Sequence, residues 1–408
     1  LKPLLKERMT GADLGFDAVL LLIVVTLLSA GLITVASTTW GVSYAMQDSQ
    51  SVWVLFLRQL GFAVIGLVLM GIFYVIDYRI FLRAKGLVVL LALATVALLV
   101  AVLFLRGESS TRVGLFGGSG QPSELAKFVT VIYLAVWLVS KADVLHDMKL
   151  GLIPYASLIA LFSGLIAIEP DYSAAVTVVL LGIAMFYFGG GKIQNVVIGS
   201  SVIGVGGILL ALVIRPQRIA DYLAGWRNIR EANLHIREAL SAISSGGIFG
   251  VGAGASRFKY FSLPAAHTDS VFAVIAEELG FIGAVVVLLL FVLLVWRGFK
   301  IAMNARDELG LLLAAGITTW VALEASINIL TILQVLPFAG NALPFFSYGG
   351  SNLVLTLAAM GMLLNVSRSR PEDGSAEATG EDRSVRRGNG GRDLPRARDG
   401  ASTPAFGA

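Results

Sequence analysis

The chain has 408 residues, 56% of them hydrophobic and only 14% charged, with a formal net charge of +4 at pH 7. A mean hydropathy of +0.81 over that length excludes a soluble globular domain and points to a polytopic membrane protein. Cysteine is absent, which excludes a disulfide framework, a thiolate metal site and a thiol nucleophile.

Lys2, Lys6 and Arg8 precede the first long apolar run, and no small-residue cleavage site follows it. The run therefore reads as a first membrane helix rather than a removed signal peptide. A span needs about 20 apolar residues. Clean candidates are Ala18–Ala36, Leu60–Ile76, Gly86–Leu105, Gly151–Ile168, Val196–Ile214 and Leu279–Trp296. Four others carry polar residues or run short: Leu125–Val139, Ala174–Phe188, Leu309–Leu336 with Glu324 and Asn328, and Leu353–Val366. The expected architecture is an all-α polytopic membrane protein of ten transmembrane helices. A membrane domain covers 17–368, after an N-terminal segment 1–16.

Basic residues orient the spans. The side of the N-terminus receives Arg79, Arg83, Lys85, Lys141, Lys149, Lys192, Arg297, Lys300 and Arg306, whereas the short opposite loops hold only Arg58, Arg106 and Arg112. Both termini are expected in the cytoplasm. One large extracellular loop, about 215–268 between helices 7 and 8, breaks the pattern with Arg215, Arg218, Arg227, Arg230, Arg237, Arg257 and Lys259. Long loops translocate largely regardless of charge; the alternative is an outward site for an anionic ligand such as a lipid diphosphate. From Ser367 the composition turns to Gly, Arg, Asp, Glu, Ser and Pro, so 369–408 is expected to be a disordered cytoplasmic tail.

Four polar clusters interrupt the apolar runs. In Gln121–Lys127, Pro122 and Ser123 suit a helix start. Glu124 and Lys127, three apart, share a helix face; they form either a self-neutralising pair or a charged wall of a cavity. The turn at 169–173 carries Glu169 and Asp171, which fit equally well as solvated carboxylates, as partners of a loop arginine, or as ligands of a divalent cation. The third cluster runs from the glycines of SSGGIFGVGAGAS through Arg257 and Lys259 to His267, Thr268 and Asp269, and into a helix with Glu277 and Glu278. Its glycines permit either close approach to a ligand or a tight re-entrant fold. Thr268 or Asp269 is either the cap of that helix or, for Asp269, a partly desolvated general base. Glu277 and Glu278 lie off the face of Asp269 and are expected to pair elsewhere. The fourth cluster, Leu336–Asn352, holds two prolines with several glycines, serines and aromatics. It is either a plain outer turn or an irregular re-entrant loop covered by protein.

QPSELAK at 121–127, EPDY at 169–172, SGGIFGVGAG at 245–254, LPAAHTD at 263–269, FAVIAEELGFIG at 272–283 and LPFFSYGGSN at 343–352 together resemble the signature set of the SEDS family (shape, elongation, division and sporulation) of RodA and FtsW. The resemblance covers 17–368 and implies ten spans with a large outer loop between the seventh and eighth. It also implies a peptidoglycan glycosyltransferase that polymerises lipid II at the outer face of the bacterial cytoplasmic membrane, for elongation or division, beside a class B penicillin-binding protein. A lipid II transporter and a non-catalytic scaffold are the competing readings. By resemblance Asp269 is the catalytic base of an inverting transfer, and Glu124, Lys127 and Asp171 are functionally sensitive. His267, Thr268 and Ser347 belong to the same substrate-binding motifs. Arg215, Lys259, Arg112 and Lys127 are the cations available to the leaving diphosphate. No cofactor and no resident metal site are expected; a divalent cation at the diphosphate is compatible with the motifs but has no support in the sequence. Nothing points to nucleic acid. Departures from the family pattern fall at Val113, Ser173–Ala174, Ala265, Ser270 and Glu324, and near His235 and Glu238.

Overall fold

The structure, a computed structural model, describes residues 16–46, 49–105, 121–145, 147–169, 171–192 and 216–368, with 194, 199, 201 and 206 at isolated positions. Among the described residues all regular structure is helical. The main helices are α1 (Ala18–Met46), α2 (Ser49–Val75), α3 (Ile80–Arg83), α4 (Lys85–Leu105), α5 (Pro122–Ser140), α6 (Ile153–Ile168), α7 (Tyr172–Phe188), α8 (Pro216–Arg227), α9 (Leu234–Gly246), α10 (Phe258–Phe261), α11 (Val271–Met303), α12 (Glu308–Ile332) and α13 (Gly350–Val366).

Seven helical stretches among them are long and apolar enough to cross a bilayer, and α7 and α13 are shorter apolar helices. These account for nine expected spans. The tenth, Val196–Ile214, lies outside the described residues apart from isolated positions, as do the N-terminal segment and the tail. The sequence placed helix ends too tightly in places: α1 continues to Met46 and α11 begins at Val271 rather than Leu279.

Burial separates inner from outer helices. The apolar windows of α5 and α12 are 72% and 67% buried, against 17% for α2. Large apolar side chains such as Leu22, Ile33, Leu90, Leu93, Leu289 and Val292 face outward, as suits helices solvated by lipid rather than water. Both inner helices carry buried ionisable residues, Glu124 and Lys127 on α5 and Glu324 on α12, which persist in apolar helices when paired. At one end of the bundle, ion pairs join the turns. Asp17 accepts from Arg297 Nε at 2.6 Å. Asp307, the cap of α12, accepts from Arg79 Nε at 2.8 Å and from the Tyr78 hydroxyl at 3.0 Å.

Two interruptions of the helices position the site. Inside α11, Gly280 has φ 68° and ψ −170°, a conformation open to glycine and not to residues with a Cβ. The backbone groups freed there are taken by the glycine-rich loop. Val251 and Gly252 N–H groups donate to the carbonyls of Glu277 and Glu278, and Phe281 and Ile282 donate to Gly247 and Ile248. A Cβ on Gly250, itself at φ 82°, would stand 2.2 Å from the Glu278 carbonyl oxygen. The loop is thus a tight fold against a broken membrane helix, the second of the two roles open to its glycines. The other interruption is 333–349, which is irregular, exposed at Leu333, Val335 and Leu336 but buried over 343–347: Leu343, Phe345 and Phe346 are at most 2% exposed. Irregular backbone is tolerated at depth only where protein covers it, and the burial of 343–347 gives that half more than the character of a plain outer turn.

Candidate active site

Asp269 ends the connection between α10 and α11. Ala265 turns the chain at φ 49°, and its carbonyl receives the N–H groups of Thr268 and Ser270. Three successive carbonyls then anchor the segment to α12 and to the buried irregular stretch. His267 O accepts from Tyr348 N at 2.7 Å, Thr268 O from Ser347 Oγ at 2.6 Å, and Asp269 O from Asn328 Nδ2 at 3.0 Å. The cap position of α11 is Ser270, with no side-chain cap bond. Main-chain bonds hold the segment in place.

Two imidazoles accompany the aspartate. Burial pushes the proton affinity of His235 down, and the negative charge of Asp269 partly opposes this. The His235 ring lies against Phe338, with centroids 4.7 Å apart. Burial also lowers the pKa of His267, whose ring is 5.8 Å from that of Tyr348. Both rings are therefore neutral near pH 7 and can donate and accept hydrogen bonds.

Behind the anchors lies a buried ion cluster. The Lys127 ammonium, with no exposed side-chain surface, contacts Glu124 Oε2 at 2.9 Å and also Glu324 Oε1. Asn352 Nδ2 donates to Glu124 at 3.0 Å and to Glu324 at 3.2 Å. Asn341 donates to the Glu324 carbonyl, and Asn328 donates to the Asn341 carbonyl as well as to that of Asp269. A continuous polar path therefore joins Lys127 to the main chain of Asp269. The expected i,i+3 pairing of Glu124 and Lys127 is present, with Glu324 as an unexpected third member.

Asp171 is 5% exposed and caps α7 by accepting from Ala174 N. It also accepts from Gln121 Nε2 at 2.9 Å, Ser123 Oγ at 2.7 Å and Ser173 Oγ at 3.0 Å. This carboxylate ties the start of α5 to the start of α7; among the described residues its bonds are to Gln121, Ser123, Ser173 and Ala174 rather than to a loop arginine. Among the described residues no group of three or more His, Asp or Glu side chains could hold a metal ion.

Lys259 and the paired glutamates form a second buried assembly. Lys259 Nζ donates to Glu278 Oε1 at 2.6 Å, and to Ser37 Oγ and the Gly254 carbonyl at 2.8 Å. Glu278 Oε2 accepts from Gly254 N. Glu277 accepts from Ser256 Oγ and from Arg257 N. As the sequence suggested, the glutamates pair elsewhere. Lys259 and Lys127, expected beside a diphosphate, are instead buried and held by carboxylates. Arg112 and Arg215 lie outside the described residues.

The structure thus gathers His267, Thr268, Asp269 and Ser347 directly, and links Glu124 and Lys127 to them through asparagines. Sequence reasoning missed Asn328, Asn341, Asn352 and Ser37 as participants. The available signal was amide and acidic side chains inside or beside apolar spans, which persist there only when bonded.

The FtsW/RodA/SpoVE family model, described as a cell cycle protein, matches residues 18–372. Stage V sporulation protein E of Bacillus subtilis (strain 168) is 36% identical over 368 residues, covering 88% of this chain and 99% of that protein. A probable peptidoglycan glycosyltransferase FtsW of Geobacter sp. (strain M18) is 36% identical over 362 residues, covering 86% and 97%. Among solved structures, a chain of a peptidoglycan synthase complex matches with a TM-score of 0.67 at 27% identity, over 88% of this chain and 100% of that one. RodA of Thermus thermophilus matches with a TM-score of 0.61 at 27% identity, over 88% and 99%. With the family match spanning the whole helical bundle and the anchored Asp269 segment inside it, the chain belongs to the FtsW/RodA/SpoVE family, the SEDS proteins.

Proposed function

We infer that this protein is a peptidoglycan glycosyltransferase that polymerises lipid II into glycan strands for division or elongation. The observation that carries the reading is Asp269, in a segment fixed by three consecutive main-chain bonds, with the cap position of α11 falling on the next residue, Ser270. In the proposed reaction the acceptor's 4-hydroxyl gives its proton to the Asp269 carboxylate while its oxygen attacks the anomeric carbon of the donor's muramyl sugar. The bond to undecaprenyl diphosphate breaks with inversion, and the diphosphate leaves with the bonding pair. His267, Thr268 and Ser347 are assigned to contacts with the reacting sugars. Glu124, Lys127 and Asp171, all buried, are assigned to holding this frame. Arg112 and Arg215 remain the candidates for the diphosphate, whose developing charge calls for cations.

The proposed topology has ten spans, the seventh at Val196–Ile214. The outer loop is about 215–268, and both termini and the tail from 369 are cytoplasmic. The active site then faces outward on the cytoplasmic membrane. The structural similarity to a chain of a peptidoglycan synthase complex supports a class B penicillin-binding protein as partner. One observation favours transport as a second reading: a lysine shared by two carboxylates at bilayer depth resembles the ionisable clusters of transport pathways.

The test supplies labelled lipid II to the purified protein with its partner, the partner's transpeptidase being inactivated. Glycan chains are expected in detergent, where no leaflet exists. Leaflet transfer of lipid II in liposomes without any polymer would replace this reading by the transporter.

A further inference from the structure

His235 stands where the chain departs from the family pattern, outside the family motifs. Its helix is firmly placed. Asn233 Oδ1 accepts from His235 N at 2.9 Å and closes the start of α9. α9 packs along α11 and buries the stripe Ile236, Ala239, Ala242 and Gly246. The contact at Gly246 leaves no room for a side chain, since a Cβ there would stand 2.2 Å from the Ala276 carbonyl oxygen. From that contact His235 lies about 16 Å back along α9, at about 1.5 Å per residue, which returns it toward the segment that carries Asp269.

Two links set the imidazole beside that segment. Its ring packs on Phe338, with centroids 4.7 Å apart. Three residues on, the same irregular stretch is tied to Asp269, because Asn328 Nδ2 donates both to the Asn341 carbonyl and to the Asp269 carbonyl. The negative charge of Asp269 reaches the ring, as a charge and not through a hydrogen bond. Both residues are partly exposed. They are therefore neighbours that do not bond each other.

The ring is built as a donor. Nδ1 is buried and has no hydrogen-bond partner, whereas Nε2 is not sealed in this way. The sealed nitrogen is the bare one, because an N–H held there would forfeit its hydrogen bond. The ring proton is then on Nε2, and the burial that lowers the pKa of His235 opposes a second proton on Nδ1. Arg237 and Glu238, next but one along α9 and beyond, pair with each other at 3.5 Å. His235 thus offers one neutral N–H beside the Asp269 carboxylate. A carboxylate and a neutral donor that do not bond each other suit two adjacent hydroxyls of one sugar ring, one giving up its proton and the other accepting a bond. We propose that His235 orients the acceptor sugar by donating through Nε2 to a hydroxyl next to the one that Asp269 deprotonates. The proposal rests on the polymerase reading and adds a specificity contact to it.

The test is a double-mutant cycle between protein and substrate, run on the full-length protein with its partner. The substrates are labelled lipid II and two analogues, each lacking one of the hydroxyls that flank the reacting position on the acceptor sugar. With wild type, one analogue should show a KM raised about five- to tenfold and a kcat within about twofold, the signature of one lost neutral hydrogen bond. His235→Phe, which keeps a ring against Phe338 and removes the donor, should show the same rise on lipid II and no further rise on that analogue. His235→Gln, a neutral donor of similar reach, should stay within about threefold of wild type. If His235→Phe does not fold, His235→Ala takes its place. Lipid II affinity, measured in the Asp269→Asn background where turnover is slow, should fall by the same factor with His235→Phe. Losses that add in the cycle would overturn the contact and leave the polymerase reading standing, and so would a Gln variant as impaired as the Phe variant. An affinity that falls with His235→Phe for lipid II but not for the one analogue, in a protein that makes no polymer, would keep the contact and remove the polymerase reading.

Discussion

Lys127→Met is expected to destabilise the protein by about 3–5 kcal/mol, the usual cost of removing one partner from a buried ion pair. Lys127 has no exposed surface and holds Glu124 and Glu324 together. Without it, two carboxylates face each other with Asn352 as their shared donor. The damage should spread, because Glu324 and Asn341 join the cluster to the main chain of Asp269 through Asn328. A large fall in melting temperature in nanodiscs, with loss of polymerisation, is the expected result. The triple variant Lys127→Met, Glu124→Gln, Glu324→Gln removes the charges together and should recover most of the stability. Activity should return in step with stability, since the ammonium is not open to a ligand. A triple variant as stable as wild type yet inactive would assign these charges to direct contact with the substrate.

The adjacent glutamates are expected to behave unequally. Glu278→Gln leaves the Lys259 ammonium buried without its counter-charge, with only neutral acceptors in the amide oxygen, Ser37 and the Gly254 carbonyl, a loss of several kcal/mol by the same argument. Glu277→Gln keeps an amide oxygen for Arg257 N or Ser256 Oγ and should cost about 1 kcal/mol. The consequence is specific to place. Glu278 and Lys259 join α1, the glycine-rich loop, α10 and α11, and the Asp269 segment hangs between α10 and α11. Hydrogen exchange should therefore rise across 246–262 in Glu278→Gln and change little in Glu277→Gln, with polymerisation falling only in the former. Equal exchange and equal activity in both variants would contradict the latch assigned to Lys259.

Much of this was legible because lipid imposes simple rules on sequence. A run such as Gly86–Leu105 has one solution in a bilayer, and α4 occupies Lys85–Leu105. The three-residue spacing of Glu124 and Lys127 was enough to pair them. What pattern alone did not reveal is which spans are neighbours. Glu324 reads as an isolated acid in an apolar run until α12 is placed beside α5. Lys259 reads as a cation for a ligand until α11 brings Glu278 to it, nineteen residues on. The break at Gly280 is likewise hidden, because glycine alone does not say whether a membrane helix bends. It becomes a break only where Gly247 and Ile248 supply acceptors for the freed N–H groups.

The central claim is that Asp269 is the base of the transfer, and one comparison tests it most directly. Wild type and Asp269→Asn, each with its partner, would be given labelled lipid II, with melting temperature and lipid II binding measured on the same samples. The account predicts an Asp269→Asn protein that folds, binds lipid II and holds its partner as wild type does, yet polymerises at least about a hundredfold more slowly, since general-base catalysis is worth about 10²–10⁴ in rate. Polymerisation by Asp269→Asn within about twofold of wild type would contradict the account and move the search for the base elsewhere in the site.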